Sequence, residues 1–309
     1  MMNENNTQNG YKIAAGGGLL LLLIGLLVGI SYLAPAKEKV AETAPEISLP
    51  NAFDDISLMA DAAVVFDIKN NEVLYGVAEE TPLPLASVTK LLSVYTAVST
   101  LGENGYIRIT PEDLSPEGDS ALLVSETWKV GDLARFTLIS SSNDGAYALT
   151  RAVSERENKT PATLLSQAAV SLSLPQTYAL NGTGLDANQY TGGAYGSAID
   201  VAHLLKVLYD EHRDLLIDAS KEQGTYTSAE GFTHIASSTN ELAGKIVGLV
   251  GAKTGYTDLA GGNLAVLIEV APQRPIAIVV LGSTKEGRFA DVRNLAEKTL
   301  QHFTYTPTF

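Results

Sequence analysis

The apolar positions of this chain change rhythm along its length, and each rhythm predicts a different kind of element. Residues 13–33 (IAAGGGLLLLLIGLLVGISYL) carry no charge and are long enough to cross a bilayer core of about 30 Å. Residues 35–55 are rich in Pro, Ala and charge without a sustained period, as expected of a linker. Two β-rich runs, 62–68 and 72–78, then flank Lys69, Asn70 and Asn71, which predicts a hairpin. Leu91, Val94, Tyr95 and Val98 follow at helical spacing. Helical segments are expected near 130–139, 143–153, 161–172 and 197–209. The last third turns strand-like at 247–253, 262–271 and 275–283, with Gly or Pro between the runs. A helix over about 286–303 closes the chain. Strands at both ends around a helical middle predict a sheet assembled from distant parts of the chain. The division expected is a tail over 1–12, a transmembrane anchor or signal over 13–33, a linker over 34–57 and a globular body over 58–309.

The membrane segment leaves two readings. Ala34-Pro35-Ala36 offers an A-x-A cleavage pattern, but the apolar run is longer than that of a usual signal peptide. Only Lys12 is basic before it, opposed by Glu4, while Lys37 and Lys39 follow, so charge does not fix the orientation. An uncleaved anchor is the expectation.

Composition narrows the function. Of 309 residues, 45% are hydrophobic and 18% charged, enough for a substantial core. A net charge of −14 excludes nucleic acid as the expected partner, because phosphate binding needs surplus Lys and Arg. With Cys 0, thiol catalysis, disulfides and Cys-ligated zinc drop out. His203, His212, His234 and His302 show neither H-E-x-x-H nor another short paired spacing, so no metal is expected.

Three motifs carry the candidate chemistry. Ser87 and Lys90 form an S-x-x-K at a helix start, where i to i+3 spacing puts both side chains on one face. Lysine activates a serine hydroxyl only when burial or nearby positive charge lowers its pKa. Ser141-Ser142-Asn143 offers a hydroxyl and an amide where a helix meets a turn, although helix capping explains such residues equally well. Ser238-Thr239-Asn240 repeats the same form. Lys253-Thr254-Gly255 brings a cation, a hydroxyl and a residue without a side chain to the end of a strand-like run, where a peptide can lie along the edge. A plain turn is the bland alternative there. The combination of all three, in this order, is more specific than any one of them.

With these residues the chain resembles the D-alanyl-D-alanine carboxypeptidases of the low-molecular-weight penicillin-binding proteins (peptidase family S11). The resemblance runs from about Ala62 to Asp291. It also takes in Gly131-Asp132, Asn181-Gly182-Thr183-Gly184-Leu185, Tyr195-Gly196-Ser197, Thr239-Asn240, the Gly pair after KTGYT, and GRFAD. It implies an α/β (α+β) fold of the β-lactamase and penicillin-binding transpeptidase type, a mainly antiparallel sheet covered by helices with a helical lobe beside it. It further implies Ser87 as acylated nucleophile, Lys90 as its base, Ser141 as proton shuttle, and Asn143 as holder of the substrate amide and of Lys90. Lys253, Thr254 and Gly255 are the implied partners of the substrate carboxylate, with Arg288 helping. The backbone N–H groups of Ser87 and Tyr256 are the implied oxyanion hole.

No cofactor is implied. The implied partners are peptidoglycan peptides ending in D-Ala-D-Ala, β-lactams as inhibitors, and the membrane. The body would lie on the extracytoplasmic side, with residues 1–12 in the cytoplasm. Departures from the family pattern are LLSQAAVSLSL where a Met-Asn pair is common, and Ser142 and Gly145 around the second motif. None removes a catalytic side chain. A β-lactamase, a muropeptide endopeptidase and a non-catalytic cell-wall binding protein share the scaffold. The lactamase reading lacks an E-x-x-x-N segment, because Glu155 and Glu157 have no Asn four residues later.

Overall fold

The structure is a computed structural model that describes residues 52–118 and 121–305, within the unit Pro50–Phe309. In chain order it comprises β1 (Ala62–Asp67), β2 (Glu72–Val77), β3 (Leu83–Pro84), a 3-10 turn (Ala86–Thr89) and α1 (Lys90–Leu101). Then come β4 (Tyr106–Arg108), a second 3-10 turn (Glu112–Leu114), β5 (Thr127–Lys129), α2 (Val130–Ser140), α3 (Asn143–Glu157) and α4 (Pro161–Ser171). β6 (Tyr178–Ala179), β7 (Ala194–Gly196), α5 (Ala198–Glu211) and α6 (Arg213–Ala219) precede β8 (Gln223–Thr227) and β9 (Thr233–Ser237). The last elements are β10 (Leu249–Thr257), β11 (Gly261–Ala271), β12 (Arg274–Ser283) and α7 (Gly287–Tyr305).

The main sheet has the order β10-β11-β12-β1-β2, and all its pairs are antiparallel. β1 sits between β12 and β2, with Val64 opposite both Val279 and Gly76. Every residue of β1 is buried, which is why its sequence reads as an apolar run rather than an alternation. Successive side chains point to opposite faces. Val64 and Phe66 join the helices in one core, whereas Ala63 and Val65 pack with Phe289, Val292 and Leu295 of α7 in a second. The sheet is therefore a wall between a helical lobe and a covering helix. Ala52 and Phe53, in the stretch read as linker, are buried, and Phe53 stacks on Tyr75. Packing thus begins ahead of Leu58.

Helix starts follow capping chemistry. Ser142 Oγ accepts from Gly145 N at 2.8 Å, Thr160 Oγ1 from Thr163 N at 3.2 Å ahead of Pro161, and Ser197 Oγ from Asp200 N at 3.2 Å. Gly102, at φ 73°, ends α1.

Three expectations need correction. The α-helix begins at Lys90, not ahead of Ser87, because Ala86 takes φ 46° and sets a 3-10 turn in front of it. Lys253-Thr254-Gly255 lies inside β10, which runs on to Thr257, rather than at a strand end. α6 and the β8–β9 hairpin fall in segments where periodicity gave no element. The expected membrane segment, 13–33, lies outside the described residues. Among the described residues no helix is long and apolar enough to cross a membrane.

Candidate active site

The 3-10 turn does more for the first motif than an α-helix would. Side chains at i and i+3 eclipse in that geometry, so Lys90 stands directly over Ser87, and Lys90 Nζ is 2.6 Å from Ser87 Oγ. The turn is held against the edge strand of the sheet. A Cβ placed on Gly255 would lie 2.8 Å from Leu85 O and 3.1 Å from Ser87 N. Only glycine lets β10 run this close to the Ser87 backbone. From the other side Gly184, at φ +78°, backs onto the turn: a Cβ there would fall 1.9 Å from Ala86 O.

Asn263 ties the turn to the sheet as well. At an irregularity of β11 between Gly262 and Leu264, its Oδ1 accepts from Gly282 N at 2.8 Å, and its Nδ2 donates to Pro84 O at 2.8 Å. Asn263 is fully buried. Asn263→Ala leaves both backbone groups unpaired, at an expected cost of about 3 kcal/mol. Urea unfolding checks this, and a loss below about 1 kcal/mol would show that Asn263 is not a tie.

Lys90 is fully buried, and its amine also reaches Asn143 Oδ1 at 2.7 Å and Thr183 O at 2.8 Å. Burial disfavours the charged form and lowers its pKa to about 7. A base poised at that value is half neutral near physiological pH. A reaction in which Lys90 serves Ser87 as base is therefore expected to quicken with pH through about 7, since only the neutral amine accepts a proton. Rates followed from pH 5 to 9 check this, and a flat profile would contradict it. Stability follows the same group. Between about 7 and the ordinary value of 10.5 the unfolded chain binds more protons than the folded one, so stability rises with pH across that window.

The second motif splits at the junction of two helices. Ser141 takes a left-handed conformation, φ 60°, at the end of α2, Ser142 caps α3, and Asn143 opens it. Ser141 Oγ accepts from Lys253 Nζ at 2.8 Å. Asn143 bridges Lys90 to the loop before residue 119, donating through Nδ2 to Glu117 O at 2.5 Å. That loop is anchored by Asp113, which is buried and paired with Arg151 at 2.7 Å.

Lys253 is buried too, and donates to Thr254 O at 2.8 Å. Burial first, then the charges of Lys90 and Arg288, hold its pKa well below the ordinary lysine value. Thr254 Oγ1 meets Thr239 Oγ1 at 2.5 Å, so the repeated S-x-N segment lies beside the third motif. Arg288 is buried, its pKa lowered by burial, and Nη1 donates to Gly255 O at 2.6 Å. Tyr256 follows with its side chain exposed.

Two buried amines thus organise the site: Lys90 holds Ser87 and Asn143, Lys253 holds Ser141, and the charge of Lys90 acts on Lys253. The half-buried Ser87, Ser141 and Asn143 are the site's outward layer. Arg288 touches the site through the backbone of β10. Glu155, weighed for a lactamase, is exposed and paired with Arg151 at 2.7 Å. Sequence reasoning missed Asn263 and Glu117, and gave Asn181, Thr183 and Thr239 no role. Glu117 and Thr183 act through backbone carbonyls, which leave no side-chain signal. Among the described residues no cluster of His, Cys, Asp or Glu could hold a metal ion.

The chain is 26% identical over 301 residues to D-alanyl-D-alanine carboxypeptidase DacF of Bacillus subtilis, covering 93% of this chain and 73% of that protein. It is 26% identical over 260 residues to D-alanyl-D-alanine carboxypeptidase DacD of Escherichia coli, covering 79% of this chain but only 64% of that protein. Among solved structures, penicillin-binding protein D2 of Listeria monocytogenes in its ampicillin-bound form superposes with a TM-score of 0.68 at 28% identity, over 79% of this chain and 98% of that one. The family model described as D-alanyl-D-alanine carboxypeptidase, peptidase S11, matches residues 49–285. A match of that extent covers most of the sequence, and the chain belongs to the D-alanyl-D-alanine carboxypeptidase family.

Proposed function

We propose that the protein is a serine-type D-alanyl-D-alanine carboxypeptidase that trims peptidoglycan stem peptides through an acyl-enzyme on Ser87. The observation that carries this reading is the 2.6 Å contact between Ser87 Oγ and a buried Lys90 whose pKa falls to about 7. The peptide lies along the free edge of β10, in the manner of an added strand. Lys253, Thr254 and Thr239 face its terminal carboxylate with one buried cation and two hydroxyls.

Neutral Lys90 takes the Ser87 proton as Oγ attacks the carbonyl of the penultimate D-alanine. The oxyanion is received by backbone N–H groups of Ser87 and Tyr256, which Gly255 brings together. As the peptide bond breaks, Ser141 passes its proton to the departing nitrogen and is resupplied by the proton that Lys90 took from Ser87, which leaves Lys90 neutral again. Water then attacks the ester, giving its proton to the neutral Lys90, and Lys90 returns that proton to Ser87 Oγ as the ester bond breaks. Penicillins enter by the same first half, and the ampicillin-bound relative supports that expectation.

The substrate lies outside the cytoplasmic membrane, so the reading places the body on the extracytoplasmic side, with residues 13–33 as its anchor. Incubating the chain with a fluorescent penicillin, mapping the labelled peptide, and assaying free D-alanine from a peptide ending in D-Ala-D-Ala tests the function. A label on Ser87 together with D-alanine release is expected. Rapid loss of free penicillin without a lasting adduct or D-alanine would favour a lactamase.

A further inference from the structure

A lysine amine that is to accept a proton must aim its lone pair. Ammonium donates three hydrogen bonds, whereas the neutral amine donates two and keeps one direction for accepting. Lys90 Nζ has three oxygen neighbours, Ser87 Oγ, Asn143 Oδ1 and Thr183 O. Ser87 Oγ alone among them carries a proton to give. The neutral amine therefore faces Ser87 with its lone pair only while its two N–H groups are engaged by Asn143 Oδ1 and Thr183 O.

What fixes the Thr183 carbonyl is the side chain of Asn181. Its Oδ1 accepts from Gly184 N at 2.8 Å, Thr183 Oγ1 at 2.9 Å and Thr183 N at 3.2 Å, and its Nδ2 donates to Leu185 O at 3.0 Å. The loop closes on itself around this one amide. Ser93 Oγ from α1 holds the preceding Gly182 O at 2.7 Å. Gly193 backs the amide closely: a Cβ there would lie 2.7 Å from Asn181 Nδ2.

We infer that Asn181 is a positioning residue for acyl transfer: by shaping the 181–185 loop it aims the Thr183 carbonyl at Lys90, and so turns the amine's lone pair toward Ser87. The inference rests on the reading of Ser87 and Lys90 given above. General-base catalysis is worth about 10² to 10⁴-fold, so a misaimed base costs on the order of 10 to 100-fold in acylation. Asn181→Ala frees the loop, lets water reach Lys90, and moves the rise of the rate to higher pH as the effect of burial weakens. Lys253, the neighbouring buried cation, is unchanged by the substitution and cannot account for such a shift.

The test follows acylation of the full chain by a fluorescent penicillin from pH 5 to 10, with thermal unfolding alongside. Asn181→Ala is expected to acylate about 10 to 100-fold more slowly with its pH midpoint raised. Asn181→Asp keeps the three acceptor bonds and is expected to recover most of the rate above that midpoint. Thr183→Ala, which removes the hydroxyl that links Asn181 Oδ1 to Leu185 N but keeps the Asn181 amide, shifts the midpoint less and serves if Asn181→Ala does not fold. Slower acylation with an unmoved midpoint in every folded variant, tracking lost thermal stability alone, would overturn the positioning role. A wild-type chain without a Ser87 adduct would overturn the proposed chemistry itself, which is a separate outcome.

Discussion

Lys90→Met is expected to slow acylation of Ser87 by about 10³-fold while making the protein more stable at neutral pH. Both effects have one cause. Lys90 is fully buried among Ser87, Asn143 and Thr183, and burial brings its pKa down to about 7. The folded chain thus holds a group that the unfolded chain keeps fully charged, and stability at pH 7 is reduced accordingly. Methionine fills nearly the same space without an amine to desolvate, although it leaves Asn143 Oδ1 and Thr183 O without their donor. The net change favours folding if the pH-linked term is the larger. Sites that hold a group against its solvation preference commonly show this exchange of stability for activity. Penicillin labelling and urea unfolding, run on the same preparations at pH 7, check both halves. A destabilised variant would mean that the two orphaned acceptors outweigh the relief of burying the amine.

Gly184→Ala is expected to combine a loss of about 3 kcal/mol with about 100-fold slower acylation. Gly184 sits at φ +78°, where an alanine pays roughly 1 to 2 kcal/mol, and its Cβ would fall 1.9 Å from Ala86 O. That atom is backbone, so nothing can rotate away. Ala86 must move, and Ser87 moves with it. A displacement of about 1 Å at a reacting group costs on the order of 10²-fold. Chemical denaturation and the acylation rate are the measurements. Unchanged kinetics in a folded variant would show that Ser87 tolerates the shift of its turn.

Both predictions depend on features that the sequence showed unequally. The hairpin of β1 and β2 was legible because β-branched runs flank an Asn pair, and Asn71 takes the positive φ, 55°, that Asn tolerates. β11, β12 and α7 were legible from runs bounded by Gly and Pro. The three motifs were legible as residue types at fixed spacing. Their meeting was legible only through family resemblance, because Ser141 and Lys253 lie far from Ser87 in the chain. The 3-10 turn was hidden, since an alanine at φ 46° has no local signature. The β8–β9 hairpin was hidden as well. It is held by tertiary contacts, among them the buried pair of His234 and Glu126 at 2.8 Å, rather than by its own alternation. Asn263 stood inside a strand-like run and Asn181 in a Gly-rich stretch, and only the structure shows that their amides brace the site.

The order of strands in the main sheet also has a consequence in time. β1, which leads into Ser87, has Ala62 opposite Leu281, and β10, which carries Lys253, reaches β1 only through β11 and β12. During synthesis the nucleophile's segment leaves the ribosome early, and the strands that complete its surroundings leave among the last. Contacts so distant along the chain close slowly, and the early segments wait with apolar edges unpaired. The enzyme therefore gains its reactive serine as one of its final folding events, and a chain stopped before β12 has the nucleophile without the catalyst.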